Sequence, residues 1–505
     1  MVKVNTVLQI NPEDNVAVAL TNLSKGSEID VNKLKIKVID EIPTGHKIAL
    51  REIKTGERII KYGYPLGLAK TRIQQGQWVH SHNLTTGLKG KLEYEYQPSA
   101  PSMKPGWEGK CPSFQGYRRE DGKVGIRNEI WIINTVGCVN KQSERLAELA
   151  RDRFKTQINS GEIDGIYAFC HPYGCSQLGE DHENTRKLLA GLVAHPNAGG
   201  VLVVGLGCEN NRMSDFQKLL GDFNPKRVKF LVLQDVEDEL AAGMELLTEL
   251  VRHASRFERE PLPVSELKIG MKCGGSDGFS GITANPLVGS VADKLVSCGG
   301  SVILTEVPEM FGAETILMNR AKDRGTFDRV VALVNNFKDY FLRNGQEVYE
   351  NPSPGNKDGG ITTLEEKSLG CIQKGGTSMV VDVLRYGEQV RANGLTLLEG
   401  PGNDIVSCTA MTAAGAHLIL FTTGRGNPMG APAPTVKVAT NSQLAKKKAN
   451  WIDFNAGMLL EGKTMPELTD EMFAYILQVA SKEQLTKNEA NGYRDMAIWK
   501  SGVTL

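Results

Sequence analysis

The sequence is conspicuous first for what it does not contain. It has no excess of either charge, since Lys+Arg and Asp+Glu each number 59 over 505 residues. A nucleic-acid binder shows a basic excess or stripe, and neither is present. The local run Lys446-Lys447-Lys448 reads as a solvated helix face. No stretch approaches the roughly 18 uninterrupted apolar residues of a membrane span. The opening MVKVNTVLQINPEDN lacks the apolar core of a signal peptide, so a cytoplasmic location with no membrane partner is expected. GxGxxG and P-loop signatures are missing, as are zinc-type CxxC pairs and ferredoxin spacing. The nine cysteines are an odd count, and several follow apolar runs. That pattern predicts reduced, mostly buried thiols rather than a disulfide framework.

What is present suits a globular chain. Forty per cent of the residues are hydrophobic and 23 per cent charged, and the length allows about three domains. Glycine is the unusual count, at 54. Many glycines follow apolar runs, where α/β enzymes place binding loops. Residues 1–86 read as a small all-β module, with short runs at 16–20, 47–50 and 58–62 punctuated by Gly and Pro. Residues 87–115, containing QPSAPSMKPGWEGKCP, read as a linker. Strand and helix then alternate. Apolar strands are expected at 129–135, 163–169, 200–205 and 228–234, with helical stretches at 142–154 and 186–194. This predicts an α/β domain over 116–262 with a mostly parallel sheet. A second α/β domain over 263–505 has longer loops, of the kind that carry function.

Several groupings can carry chemistry. His80 and His82 in VHSHN share a face if the segment is a strand, and then converge on one metal; otherwise they are two solvent-facing histidines. In Gly45-His46-Lys47, the histidine suits a proton acceptor and the lysine a carboxylate clamp, against the alternative of an ordinary turn. Cys170-His171 through Cys175, followed by Glu180-Asp181-His182, crowds ligand-type side chains at a strand end. Cys208-Glu209 and Cys138 follow two other strands. A metal or iron–sulfur site and buried structural thiols both fit these cysteines. Glu306 and Glu309, three apart after an apolar run, suit a hard cation, acid–base work or an acidic helix start. The glycine-rich loops Cys273-Gly-Gly-Ser276-Asp277 and Thr422-Thr-Gly-Arg425-Gly-Asn427 suit a bound carboxylate, with Arg425 as its clamp. Gly402-Asn403-Asp404 reads equally as a helix cap.

The collinear strings GHKIAL, KYGYPLG, VHSHN, GIRNEIWIINTVGCVN, HPYGCSQLGEDH, HPNAGGVLVVGLGCENN, CGGSDGFSGITANP, TEVPEMFGAE, ENPSPGNKDGGITTLEEKSLGC and TTGRGNP closely resemble the altronate/galactarate dehydratase family. The resemblance runs from about residue 12 to the end. It implies an N-terminal SAF-like β-clip module followed by two dehydratase domains. It also implies a hydro-lyase acting on a sugar acid in hexuronate catabolism, with the altronate branch favoured and galactarate as the alternative. The expected product from D-altronate is 2-dehydro-3-deoxy-D-gluconate. Ferrous iron is the implied cofactor, with manganese as a substitute. Sulfolactate sulfo-lyases look similar but are usually split into two chains.

On this resemblance His46, Lys47, His171, Asp181 and His182 are expected to be catalytic. Lys47, Arg425, Asn427, Ser276 and Asp277 are expected to bind substrate, and His80, His82, Glu306, Glu309, Cys175 and Cys208 to bind metal. The β module is expected to close over the core as a lid, and the molecule to be a homodimer. Rival readings are an iron–sulfur hydro-lyase built on Cys138, Cys170, Cys175 and Cys208, and a sugar-acid sensor.

Overall fold

The computed structural model describes residues 6–504 except 33, 89 and 100–110, so part of the predicted linker lies outside the described residues. In the N-terminal module, strands Val7–Leu8, Val16–Ala19, Lys47–Ala49 and Trp78–Val79 form an antiparallel sheet in that order. Strands Arg58–Lys61, Tyr64–Ala69 and Leu84–Thr85 form a second one. Strand Glu28–Val31 alternates exposed and buried side chains, the pattern of a strand with one wet face. Ile48, Ile53, Ile59, Leu66 and Ile73 are fully buried between the turns.

The two later domains follow parallel-sheet logic. Strands Gly165–Phe169, Glu129–Asn134, Ala198–Gly205 and Val228–Val232 lie in that order, all parallel. The strands Glu129–Asn134 and Ala198–Gly205 are buried on both faces, as helix-covered parallel strands are. The helix predicted at 186–194 begins earlier, as Gly179–Val193, with Glu180 and Asp181 in a first turn that favours negative charge. The C-terminal domain is built on a seven-stranded parallel sheet. Its order is Val380–Leu384, Gly394–Leu398, Ser301–Leu304, Lys268–Cys273, Leu418–Thr423, Thr435–Ala439 and Phe454–Asn455.

The two sheets share one apolar core, in which Trp131 and Phe169 pack with Leu398, Met411 and Phe421. Buried ion pairs stitch the same boundary. Arg494 donates to both oxygens of Glu129 at 2.7 and 2.9 Å, and Arg127 bonds Glu489 at 2.7 and 3.0 Å. Among the described residues no helix is long and apolar enough to cross a membrane.

One sequence expectation fails here. The cysteines are not all reduced, because Cys111, at the end of the linker, is disulfide-bonded to Cys298 across 187 residues. Nor are the free thiols mostly buried: Cys138, Cys175 and Cys208 are exposed, and only Cys273, Cys371 and Cys408 are buried. Which cysteines meet is set by how the linker returns to the C-terminal domain, and spacing carries no trace of that.

Candidate active site

The chemistry gathers at the C-terminal ends of the central strands of the seven-stranded sheet, where open α/β sheets hold their ligands. Strand Lys268–Cys273 delivers Lys272 and Cys273. Strand Ser301–Leu304 runs into Glu306 and Glu309. Helix Leu364–Cys371, capped by Thr363, presents Lys367 and Cys371 one turn apart on the same face, and Lys374 follows in the next turn. Glu306 sits in the left-handed backbone region at φ 68°, a conformation that costs a residue with a side chain about 1–3 kcal/mol. Its carboxylate is held between the Lys272 and Lys374 ammoniums.

Cys273, Glu306, Glu309 and Cys371 are all buried, and their donor atoms lie within 4.8 Å of one another. The two sulfurs are 3.5 Å apart, and Glu309 Oε2 lies 3.4 Å from Cys273 Sγ and 3.3 Å from Cys371 Sγ. Glu306 oxygens are 3.8 Å from Cys273 Sγ and 3.9 Å from Cys371 Sγ. Four donors arranged tetrahedrally about a cation at about 2.0–2.3 Å stand about 3.3–3.8 Å apart, so the spacing fits one metal ion. A mixed thiolate and carboxylate set suits a borderline cation such as ferrous iron better than magnesium or calcium. The lysines brace this shell from outside. Lys367 bonds Glu309 at 2.8 Å, and Lys272 also reaches Asp404 at 3.1 Å.

Burial opposes ionisation of Glu309, but Lys367, then Lys272 and Lys374, outweigh it and hold the carboxyl well below the usual range. The Cys371 thiol is pushed well up by its hydrogen bond with Cys273 and by burial. A bound cation reverses that preference by taking the thiolate.

A cleft of about 370 Å³ opens over this group, lined by Cys273, Gly274, Gly275, Glu309, Asn351, Ser353, Asn356, Lys367, Asp404 and Arg425. Arg425 is exposed at its rim. Asn427 donates to Asp404 at 2.7 Å and so braces a cleft residue.

The other expected site residues lie elsewhere. Ser276 backs the cleft, its carbonyl accepting from Asn356 at 2.9 Å. The Asp277 carboxylate is taken up by Ser280, Thr440, Asn441 and the Phe279 N–H. Lys47 is buried against Glu366 and the Gly360 carbonyl rather than facing the cleft. His80 and His82 are not on a strand, because the strand ends at Val79 and a turn follows. Asn83 makes that turn by accepting from the His80 N–H at 2.9 Å. His82 is exposed beside Trp78. His171 is buried with both ring nitrogens engaged, by the Asn134 carbonyl and the Tyr173 N–H. Asp181 accepts from the backbone of Ser501 and Gly502 and pins the C-terminal tail. His182 is half-buried, and its Nε2 has no partner among the described residues.

Cys175 and Cys208 are exposed at the edge of the other sheet. With Cys138 and Cys170 they form no group of three donors within reach of one metal among the described residues. Sequence reasoning missed Cys371, Lys367, Lys272 and Lys374. The i, i+4 spacing of Lys367 and Cys371 in LEEKSLGC was the one available signal.

A β module set against a parallel-sheet core, with a buried thiol and carboxylate group able to hold a metal ion beside a polar cleft, is an α/β enzyme architecture, and the chain belongs to the altronate/galactarate dehydratase family. Residues 5–87 match the altronate/galactarate dehydratase SAF domain. Residues 116–255 match the D-galactarate dehydratase/altronate hydrolase second domain, and residues 264–504 the D-galactarate/altronate dehydratase C-terminal domain. Over 99% of both chains it is 51% identical to the altronate dehydratase of Escherichia coli (strain K12) and 51% identical to that of Bacillus subtilis (strain 168). Identity to the galactarate dehydratase (L-threo-forming) of Escherichia coli (strain K12) is 33%, over 97% of this chain and 96% of that one.

Proposed function

We propose that the chain dehydrates D-altronate to 2-dehydro-3-deoxy-D-gluconate and water in the cleft above Cys273, Glu306, Glu309 and Cys371. The carrying observation is that two members of this four-donor group, Cys273 and Glu309, line a cleft whose walls present Arg425, Asp404 and Lys367. The substrate loses its C2 proton and its C3 hydroxyl as one water, and the enol formed tautomerises to the 2-keto acid. The C2 proton is weakly acidic because the neighbouring carboxylate is already negative, so positive charge must meet the carboxylate as charge builds on it. Arg425 at the rim holds that carboxylate. Asp404, held by Lys272 and Asn427, takes the C2 proton. A proton must also meet the C3 hydroxyl as it leaves as water, and Asp404, protonated in the first step, can return it. Asn351 and Asn356 present amides to the sugar hydroxyls. Cys273, Glu306, Glu309 and Cys371 would hold ferrous iron, with manganese as substitute, and the bound ion would supply Lewis-acid stabilisation of the developing negative charge. The reading includes a cytoplasmic homodimer with the sugar acid as its small-molecule partner and no nucleic acid.

The test is a 2-keto-3-deoxy acid assay on metal-stripped protein given D-altronate, D-galactarate or D-mannonate, with and without ferrous iron. Iron-dependent product from D-altronate is expected, with Asp404→Asn slowing turnover by about a hundredfold or more. Product from D-galactarate instead overturns the substrate. No product from any of the three overturns the reaction.

A further inference from the structure

The cleft wall formed by residues 351–360 has two sides. On the cleft side, Lys367 Nζ ties Asn351 Oδ1 at 3.1 Å and Asn356 Oδ1 at 3.2 Å, and Asn356 Nδ2 donates to the Ser276 carbonyl at 2.9 Å. On the rear side the segment meets the N-terminal module. Residues Pro354–Asp358 form a helix of five residues, and the Lys357 carbonyl at its end accepts from the Gly360 N–H at 2.9 Å. The module supplies further donors to the carbonyls at and just after this helix end. His80 Nε2 donates to the Lys357 carbonyl at 2.9 Å, His46 Nε2 to that of Asp358 at 3.2 Å, and Lys47 Nζ to that of Gly360 at 2.7 Å. The backbones touch as well. A side chain on Gly360 would meet the Gly45 carbonyl oxygen at 2.4 Å, and Gly360 itself adopts φ 101°. Gly278, on the loop that follows Cys273, packs on the same Gly45 carbonyl.

The donors are themselves held. His46, Trp78 and His80 pack together with ring centres 5.1–5.4 Å apart, the His46–Trp78 pair edge-on and the other two tilted. Trp78 Nε1–H donates to His46 Nδ1 at 3.3 Å, and the Ser81 hydroxyl donates to His80 Nδ1 at 3.0 Å. The His46 ring is therefore neutral with its proton on Nε2, since an indole N–H can only donate, and in both rings the two nitrogens are engaged, with none left over for a substrate proton. Burial favours the same state, holding His46 down at about 4.

We infer that His46 and His80 are positioning residues that cap the 354–358 helix from behind, so that the β module sets the place of Asn351 and Asn356 in the cleft rather than closing over it or transferring protons. The inference rests on the dehydratase reading only for its kinetic readout. A slip of about 1 Å in the wall is enough to cost about a hundredfold in turnover. Asn356 is one residue from the Lys357 carbonyl that His80 holds.

The test compares glutamine with leucine at each histidine in the full-length chain supplied with ferrous iron. Glutamine carries an N–H donor near the place of imidazole Nε2 but cannot act as an acid or base. His46→Leu/His80→Leu is expected to lower kcat/KM by about a hundredfold and to speed amide hydrogen exchange across residues 351–360. Exchange in the strands at 129–134 and 198–205 should stay at wild-type rates and report a folded core. His46→Gln and His80→Gln are expected to restore slow exchange and to keep activity within about tenfold of wild type with an unchanged pH profile. Glutamine variants as inactive as leucine ones, or a lost limb of the pH profile, overturn the inference in favour of proton transfer. Wild-type exchange at 351–360 in the leucine variant overturns it altogether. If the wild-type chain dehydrates no sugar acid, the exchange comparison still decides the clamp.

Discussion

Glu366 is the junction between the β module and the core, and its neutralisation has a calculable signature. The carboxylate is buried and accepts from Lys47 at 2.8 and 3.1 Å and from Lys61 at 2.9 Å. It also accepts from the Thr362 N–H at 2.8 Å and the Thr362 hydroxyl at 2.7 Å. Both lysines are buried as well. Glu366→Gln keeps the shape and leaves two ammoniums without a counter-charge. Removing one partner of a buried pair costs about 3–5 kcal/mol.

The pH dependence identifies the cause. Burial already holds Lys47 down at about 8, with Glu366 opposing that and Lys61 adding to it. Without Glu366 the Lys47 amine falls further below the lysine value of about 10.5, and the buried Lys61 amine, which Glu366 holds above that value, falls as well. The unfolded chain then binds more protons than the folded one between the lowered value and about 10.5, so stability rises with pH across that window. Urea unfolding at pH 6 and pH 9, followed by fluorescence, is expected to show the larger loss relative to wild type at pH 6. An equal midpoint for variant and wild type at both pH values, or a larger loss at pH 9, would refute the argument that uncompensated charge is the cost.

Two further outcomes are expected. His171 and His195 are buried and neutral, held by burial at about 4 and about 3. The stability they contribute is complete above about 6.5 and is lost as pH falls towards those values, by about 1.4 kcal/mol per pH unit for each. Calorimetric unfolding at pH 5 in buffers of different ionisation enthalpy should show about one proton fewer taken up by His171→Gln than by wild type; unchanged uptake would contradict it. Cys298→Ser removes the link to Cys111 across 187 residues, and loop-closure entropy sets the loss at about 5 kcal/mol at most. The unfolding midpoints of variant and wild type should differ under oxidising conditions and coincide in dithiothreitol. A difference that survives reduction would place the effect in local packing instead.

Much of the architecture was legible from local pattern. Continuous apolar runs ending in glycine marked the parallel strands, because a strand covered on both faces needs apolar side chains on both. Short alternating runs with Gly and Pro marked the β module. Glu306, Glu309 and Arg425 stood out as site candidates because they follow apolar strands closely in the chain. His46, Lys47 and His80 were legible as polar groups of consequence but not in their placement. Their partners at Asp358, Gly360 and Lys357 lie 312, 313 and 277 residues further on. His171 and Asp181 read as catalytic types, yet their hydrogen-bonding capacity is spent on the Asn134 carbonyl and the C-terminal tail.

The sequence by itself determined the class of fold and the family, since both rest on periodicity and on motifs contiguous in the chain. Tertiary structure alone decided which thiols meet which carboxylates. Cys273 and Cys371 are 98 residues apart, and it takes the register of strands Lys268–Cys273 and Ser301–Leu304 together with the seat of helix Leu364–Cys371 to bring two sulfurs and two carboxylates within reach of one cation. Metal-site geometry is a matter of a few ångströms between distant segments, and local sequence pattern has no means of expressing that distance.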